Sequence, residues 1–143
     1  MSTELLERTH VSRYRTVSAR SAGGNGQIIL DVEDDLAIAS FLVAAIEQET
    51  PYRALVATES HAALELVRHF IPDLLLLDYR LPGMNGIELY DRLNEVAPIP
   101  AILMTASRQF PQQQLQQRQL IAFRKPFELD VFLATIETFL TSP

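Results

Sequence analysis

Five short apolar runs, each separated from the next by a longer amphipathic stretch, constrain this fold more than any other feature of the sequence. The runs are IILDV (28 to 32), ALVAT (54 to 58), DLLLLD (73 to 78), AILMT (101 to 105) and LIAF (120 to 123). Runs this short, with almost no polar interruption apart from Asp31, are typical of β-strands that are buried on both faces. The sequence therefore predicts five strands.

The stretches between the runs have the spacing of helices. We expect helices at 35 to 49, 60 to 70, 86 to 96 and about 111 to 118, followed by a last one at 128 to 140. In the last, apolar residues such as Leu129, Phe132 and Ile136 recur every three or four positions, which predicts a stripe that packs against a sheet. Strands alternating with helices predict an α/β fold, with a parallel sheet and right-handed crossovers.

The charge is unevenly divided along the chain. Residues 1 to 26 contain four arginines and two glutamates and end in the glycine-rich stretch SAGGNG, whereas residues 27 to 143 carry 8 basic and 16 acidic side chains. The first segment is predicted to be a flexible N-terminal tail, and 27 to 143 a single domain. The arginines of the tail either contact an acidic partner or belong to a solvated extension without function.

Composition excludes several classes of protein. The chain has no cysteine, which rules out disulfides and thiolate metal sites. A net charge of -6 with no basic stripe argues against direct binding to nucleic acid. No apolar run approaches the roughly 18 residues of a membrane span, and the N-terminus lacks a secretory signal. We therefore expect a cytoplasmic protein that contacts neither nucleic acid nor membrane.

Polar residues cluster where the predicted strands end. Strand one leads into Glu33, Asp34 and Asp35, strand three ends at Asp78, strand four ends at Thr105 and strand five leads into Lys125. The carboxyl ends of parallel strands meet at one edge, so these carboxylates would converge and repel one another unless a cation lay between them. An all-oxygen ligand set favours a hard divalent ion, and Mg²⁺ is the natural candidate.

Four motifs in order carry a resemblance to a known family. VEDD, LLLLDYRLPGMNG, ILMTA and RKPF each lie at the end of a predicted strand. With these motifs, residues 27 to 143 resemble the receiver domain of bacterial response regulators. The resemblance implies a flavodoxin-like (βα)5 three-layer sandwich whose parallel strands lie in the order 2-1-3-4-5.

The same resemblance implies a phosphoacceptor chemistry. Asp78 would accept a phosphoryl group from a histidine kinase or a histidine phosphotransfer protein, and the domain would then signal to a downstream protein that the sequence does not identify. Lys125 would pair with the phosphoryl oxygens, and Thr105 would offer its hydroxyl to them. Self-phosphorylation from small donors and autodephosphorylation, both dependent on Mg²⁺, would be the enzyme-like activities of the chain.

The resemblance also implies a set of metal ligands. Asp34 and Asp78 would bind Mg²⁺ directly, Glu33 would bind it through water, and the backbone carbonyl of Arg80 would supply a further oxygen.

The residue at position 80 also bears on a different class of protein, the haloacid dehalogenase phosphatases, which likewise use an aspartate after a strand. Those enzymes need a second aspartate two residues after the first, where this chain has arginine.

Several positions depart from the family pattern. Receivers carry an aromatic residue three positions before the lysine, and here that position is Ala122, with Phe123 one step later. The fourth helix should be short, and seven glutamines surround its single Leu115, which fits either a solubilising surface or a docking surface. These departures leave open a second function, that of a receiver-like interaction module that works without phosphorylation.

Three further titratable residues lie outside the four motifs. Asp31 lies in the middle of strand one, where a buried and unpaired carboxylate would cost several kcal/mol, and the sequence offers no reason for it. His61 and His69 are interpreted as ordinary residues of the second helix.

Overall fold

The computed structural model describes residues 26–109 and 111–141 of the chain. Its five strands are β1 (Ile28–Val32), β2 (Arg53–Ala57), β3 (Leu74–Asp78), β4 (Ala101–Thr105) and β5 (Ile121–Arg124). Its five helices are α1 (Leu36–Glu49), α2 (Ser60–Val67), α3 (Gly86–Val96), α4 (Gln112–Arg118) and α5 (Leu129–Thr141). The predicted N-terminal tail lies outside the described residues.

The strands form one parallel sheet in the order β2-β1-β3-β4-β5, as the resemblance implied. Buried side chains cover both faces of this sheet. One core lies between the sheet and helices α2, α3 and α4, and the other lies between the sheet and helices α1 and α5. The predicted flavodoxin-like three-layer α/β architecture is therefore confirmed. Within the described residues, no helix is both long enough and apolar enough to cross a bilayer.

Helix α2 is shorter than the sequence predicted. It ends at Val67, so the assignment of His69 to this helix is wrong; His69 lies in the turn that follows. The chain reaches Pro72 soon afterwards, and a proline disfavours helical backbone at the residue before it. The imidazole of exposed His69 lies 3.2 Å from the exposed carboxylate of Glu65.

Strand β5 also differs from expectation, because it is not buried on both faces. It is one of the two edge strands of the sheet, pairs only with β4 among the described residues, and leaves Ile121 43% exposed. The strand order implied by the resemblance already placed this strand at an edge, but not its exposure, because the other edge strand, β2, is buried from Ala54 to Ala57.

Helix α4 has only seven residues, as the short spacing predicted, and Leu115 is its one buried residue. Helix α4 is also held to α3 by an ion pair between Arg118 and Asp91, in which two nitrogen-to-oxygen distances are 2.8 Å. The hydrogen bond from Arg118 holds the pKa of the Asp91 carboxyl below its usual range. The helix ends at Arg118, and its C-cap residue Gln119 has a left-handed φ of 57°.

Candidate functional site

Asp78 stands at the end of the central strand β3, at the carboxyl edge of the sheet. The four leucines before it, from Leu74 to Leu77, are all fully buried between the two helix layers. Asp78 itself is 7% exposed. A strand packed on both faces gives its last residue a fixed position, which is what an electrostatic reaction centre requires.

The loop after Asp78 returns closely to the strand because of a glycine. A Cβ atom on Gly86 would lie 2.6 Å from the carbonyl oxygen of Asp78 and 2.8 Å from a methyl group of Leu103. The backbone N–H of Gly86 donates to the carbonyl of Tyr79 at 2.8 Å. Asn85 caps α3 in a reciprocal capping box with Glu88, a pattern that the spacing N-x-x-E could have revealed.

Three carboxylates meet at this edge of the sheet. Glu33, Asp34 and Asp78 each offer an oxygen, and these oxygens lie within 4.8 Å of one another. Asp35, the third of the consecutive acidic residues that follow β1, has a different role. Its carboxylate accepts hydrogen bonds from the N–H groups of Ala37 and Ile38 and caps α1. An aspartate just before an apolar helix is a common N-cap, so this capping role could have been predicted from the sequence.

Lys125 bridges two of the three carboxylates. Its Nζ atom donates to Oε1 of Glu33 at 3.0 Å and to Oδ1 of Asp78 at 3.1 Å. Burial raises the pKa of both carboxyls, and Lys125 opposes this effect without cancelling it. Burial also opposes the charge on Lys125, but the hydrogen bond to Glu33 and the charge of Asp78 leave the pKa of the ammonium above its ordinary value.

Thr105 ends the neighbouring strand β4 and is 1% exposed. Its backbone carbonyl accepts a hydrogen bond from the N–H of Lys125 at 2.7 Å, so the two residues are fixed to one another through the main chain. Its hydroxyl oxygen accepts a hydrogen bond from the N–H of Ser107 at 3.0 Å. A hydroxyl that accepts in this way still carries its own proton for donation. The resemblance implied a role for Ser107 in the access of hydrolytic water, but this hydrogen bond to Thr105 was not expected from the sequence.

Arg80 lies on the rim of the site, two residues beyond Asp78. Its side chain is exposed, and together with Asp34, Tyr79, Leu81 and Asn85 it lines a cavity of about 500 Å³. The structure therefore places Arg80 and Asp34 around one open space beside the carboxylates.

The arrangement of carboxylates suits a hard divalent cation. The three oxygens can approach one ion together, and Lys125 is the one ammonium group bonded to the cluster among the described residues. Burial raises the pKa values of Glu33 and Asp78, and a bound cation would favour the charged forms of both carboxyls. Oxygen ligands of this kind are preferred by Mg²⁺.

Asp31 is buried beneath this cluster. It pairs in register with Val56 and Leu76 on either side and has no exposed surface. Neither of its carboxylate oxygens has a hydrogen-bond partner among the described residues. Burial, aided by the charge of nearby Glu33, raises the pKa of Asp31 well above its usual range, because both effects disfavour the charged form.

Phe123 does not take the place of an aromatic residue at position 122. Successive residues of a strand point to opposite faces. Ala122 packs against the core beneath α2, α3 and α4, whereas Phe123 packs against the opposite core. There its ring contacts those of Phe127 and Phe132 edge to face, at centroid distances of 5.6 and 5.2 Å.

The fold and the acidic edge define a doubly wound α/β protein with its functional groups at the carboxyl ends of the strands. Residues 29–137 match the model of the response regulator receiver domain. The chain belongs to this family, which forms part of two-component systems.

Individual proteins agree with this assignment. Sporulation initiation phosphotransferase F of Bacillus subtilis is 33% identical over 115 residues, which cover 78% of this chain and 92% of that protein. The DNA-binding response regulator MtrA of Mycolicibacterium paratuberculosis is 39% identical over 80 residues, which cover 56% of this chain. The match covers only 35% of MtrA.

Solved structures show the same fold. The non-phosphorylated HemR receiver domain from Leptospira biflexa is 31% identical, with a TM-score of 0.71 and coverage of 82% of this chain and 96% of that chain. A CheY-like receiver domain protein from Methanospirillum hungatei is 25% identical, with a TM-score of 0.74 and coverage of 80% and 93%.

Proposed function

We propose that this receiver domain accepts a phosphoryl group on Asp78, from a histidine kinase or a histidine phosphotransfer protein, and signals through contact with another protein. The observation that carries the proposal is the contact of the Lys125 ammonium with both Glu33 and Asp78 inside a cluster of three carboxylates. Such a cluster provides a nucleophilic oxygen beside a fixed positive charge. The likeness to a sporulation phosphotransferase supports a donor or acceptor of the same chemical kind.

The reaction needs little covalent chemistry from the protein. A carboxylate oxygen of Asp78 attacks phosphorus, the new P–O bond forms as the P–N bond of phosphohistidine breaks, and the bonding electron pair leaves with the imidazole nitrogen. With a small donor such as acetyl phosphate, the broken bond is P–O. In this proposal, Lys125 and the hydroxyl of Thr105 contact the oxygens of the transferred group, and the hydrogen bond of Lys125 to Asp78 supports the role of the lysine.

Glu33, Asp34 and Asp78, with the carbonyl of Arg80, are the proposed ligands of Mg²⁺. When bound, Mg²⁺ supplies positive charge that offsets the repulsion between these carboxylates and an incoming phosphoryl group. The protein holds the ligands in place through separate elements. Asp78 is the last residue of β3. The backbone N–H of Glu33 donates to the carbonyl of Ala57 at 3.0 Å, which continues the hydrogen bonding between β1 and β2 by one residue.

Intact-protein mass spectrometry after incubation with acetyl phosphate and Mg²⁺ tests this function. We expect the mass to increase by one phosphoryl group, and we expect no increase for Asp78→Asn or when the metal is chelated. Glu95→Gln removes an exposed carboxylate of α3 and serves as a matched control that should behave like the parent. An unchanged parent mass, with the fold intact by circular dichroism, would contradict the proposal.

The second candidate is an interaction module that works without phosphorylation. The small side chain of Ala122, on the strand face where receivers place an aromatic residue, favours this alternative. The same mass measurement separates the two functions, because the interaction module leaves the mass unchanged in every condition.

A further inference from the structure

Helices α1 and α5 lie side by side on one face of the sheet and enclose a surface groove of about 380 Å³. We call this the α1/α5 groove. Its lining includes Phe41, Gln48 and Glu49 of α1, with Leu129, Asp130 and Leu133 of α5. Phe41 is 58% exposed, which is unusual for a phenylalanine and marks a surface that binding would cover.

The groove is acidic as well as apolar. The sequences of α1 and α5 contain neither lysine nor arginine. The exposed carboxylates of Glu49 and Asp130 lie on its lining, and neither has an ion-pair partner among the described residues. An apolar surface with unpaired carboxylates fits a segment that carries arginines between apolar side chains.

The chain itself contains such a segment in residues 1–25. Arg8, Arg13, Arg15 and Arg20 outnumber its two glutamates, while the rest of the chain has twice as many acidic as basic side chains. Apolar residues are interspersed with the arginines, among them Leu5, Leu6, Val11, Tyr14 and Val17. Tyrosine and arginine are both enriched at binding surfaces.

The segment joins the fold beside the groove. The side-chain amide of Gln27, the residue before β1, donates to the carbonyl of Leu140 near the end of α5, at 2.9 Å. The helix rises about 1.5 Å per residue, so the groove residue Leu133 lies roughly 10 Å away along α5. The stretch SAGGNG can span up to about 20 Å. A short tether of this kind provides an effective concentration on the order of millimolar, so weak contacts suffice.

We propose that residues 1–25 bind the α1/α5 groove of their own chain, with arginines against Glu49 and Asp130 and apolar side chains against Phe41. The segment thereby covers this face and competes with any protein partner that binds there. This contact is independent of phosphorylation, so its test and the test of the proposed function can succeed or fail separately.

Paramagnetic NMR on the full chain tests the contact. Because the chain has no cysteine, Ser18→Cys introduces a single attachment point for a nitroxide label. We expect the amide signals of Phe41, Gln48 and Leu133 to broaden, and those of α2 and α3 to remain sharp. In about 1 M salt, where the Debye length is about 3 Å, the broadening should decrease strongly. Absence of broadening at low salt would overturn the proposal.

Two charge variants of the labelled chain provide the control. Gln48→Lys with Glu49→Lys adds positive charge to the last turn of α1, where the helix dipole favours it, so the fold should be retained. This variant should lose the broadening, whereas Glu65→Lys with Glu95→Lys, on exposed positions of α2 and α3, should keep it. Equal broadening in both variants would contradict the assigned site.

A mixed sample distinguishes contact within one chain from contact between two. Nitrogen-15 chains without the label are mixed with labelled chains at natural isotope abundance. We expect sharp groove signals in this sample. Broadening of the same signals there would overturn the proposal, because it would place the segment of a second copy in the groove.

Discussion

Lys125 donates hydrogen bonds from one ammonium group to Glu33, 92 positions earlier, and to Asp78, 47 positions earlier. Two carboxylates from neighbouring strands β1 and β3 are thus held by a cation that follows the edge strand β5. The three residues form a connected charge network along the carboxyl edge of the sheet from β1 to β5. Because this network is nearly buried, each of its charges depends on the others.

Replacement of Lys125 should separate metal binding from phosphoryl transfer. Lys125→Met removes the cation that competes for the carboxylates, so Mg²⁺ affinity should rise on the order of tenfold, which corresponds to the loss of roughly 1.4 kcal/mol of repulsion between the ammonium and the metal. Phosphorylation by acetyl phosphate should become roughly a hundredfold slower, as for other lost charge-stabilising donors. Calorimetric Mg²⁺ titration and intact-mass time courses measure the two effects. Arg92→Met, an exposed change on α3, should alter neither.

Asp31 should make the stability of the protein depend on pH. The pKa of Asp31 is raised in the folded state. The contribution of this group to the free energy of unfolding is therefore fully present below its unfolded pKa of about 4, and it is lost as the pH rises through the raised pKa. Asp31→Asn removes this titration, and the part of the pH slope due to Glu33 and Asp78 remains. Urea unfolding at several pH values measures the slope, and an equal slope in parent and variant would refute the assignment.

The unpaired oxygens of Asp31 make a second substitution informative. Asp31→Val replaces the buried acid by a β-branched residue suited to a strand between Val56 and Leu76. We expect the free energy of unfolding at neutral pH to increase by about 1–3 kcal/mol, the cost of an unsatisfied buried polar group. Asp31→Asn keeps a polar group at the same place and should gain less. A Val variant less stable than the Asn variant would contradict this account.

Two glycines of the loop after Asp78 should respond differently to alanine. Gly86→Ala places a methyl group 2.6 Å from the carbonyl oxygen of Asp78 and should lower the free energy of unfolding by about 1–3 kcal/mol. It should also slow phosphorylation, because β3 and α3 must move apart. Gly83→Ala meets no atom within 4 Å and costs only the strain of its positive φ of 95°, about 1–2 kcal/mol. Its phosphorylation rate should match that of the parent.

Arg80 should protect the phosphorylated protein. Its bulky cation lines the cavity beside Asp34 and is expected to restrict the approach of hydrolytic water. Arg80→Ala should therefore lose its phosphoryl group roughly two- to fivefold faster, the scale of an exposed charge interaction. The decay of the phosphorylated mass after removal of the donor measures the rate, with Arg92→Ala as control. A variant that keeps its phosphate longer than the parent would count against this role.

The sequence by itself determined the order and type of the elements and the residues that stand at the ends of the strands. Alternation between apolar runs and amphipathic stretches is a local property, and it is visible in β3 as four consecutive leucines. The N-caps at Asp35 and Asn85 could also have been predicted, because each depends only on residues close by in the sequence. The meeting of Glu33, Asp34 and Asp78 followed from the rule that parallel strands share one carboxyl edge.

The tertiary structure alone decided which groups touch. The bridge from Lys125 to two carboxylates, the exposure of β5 and the particular core that Ala122 or Phe123 enters depend on elements that are distant in the chain. Likewise, the sequence showed an acid at position 31 but not that both of its oxygens would be left unpaired. Periodicity records which side of an element is apolar, whereas hydrogen-bond partners are set by packing between elements, which no local pattern encodes.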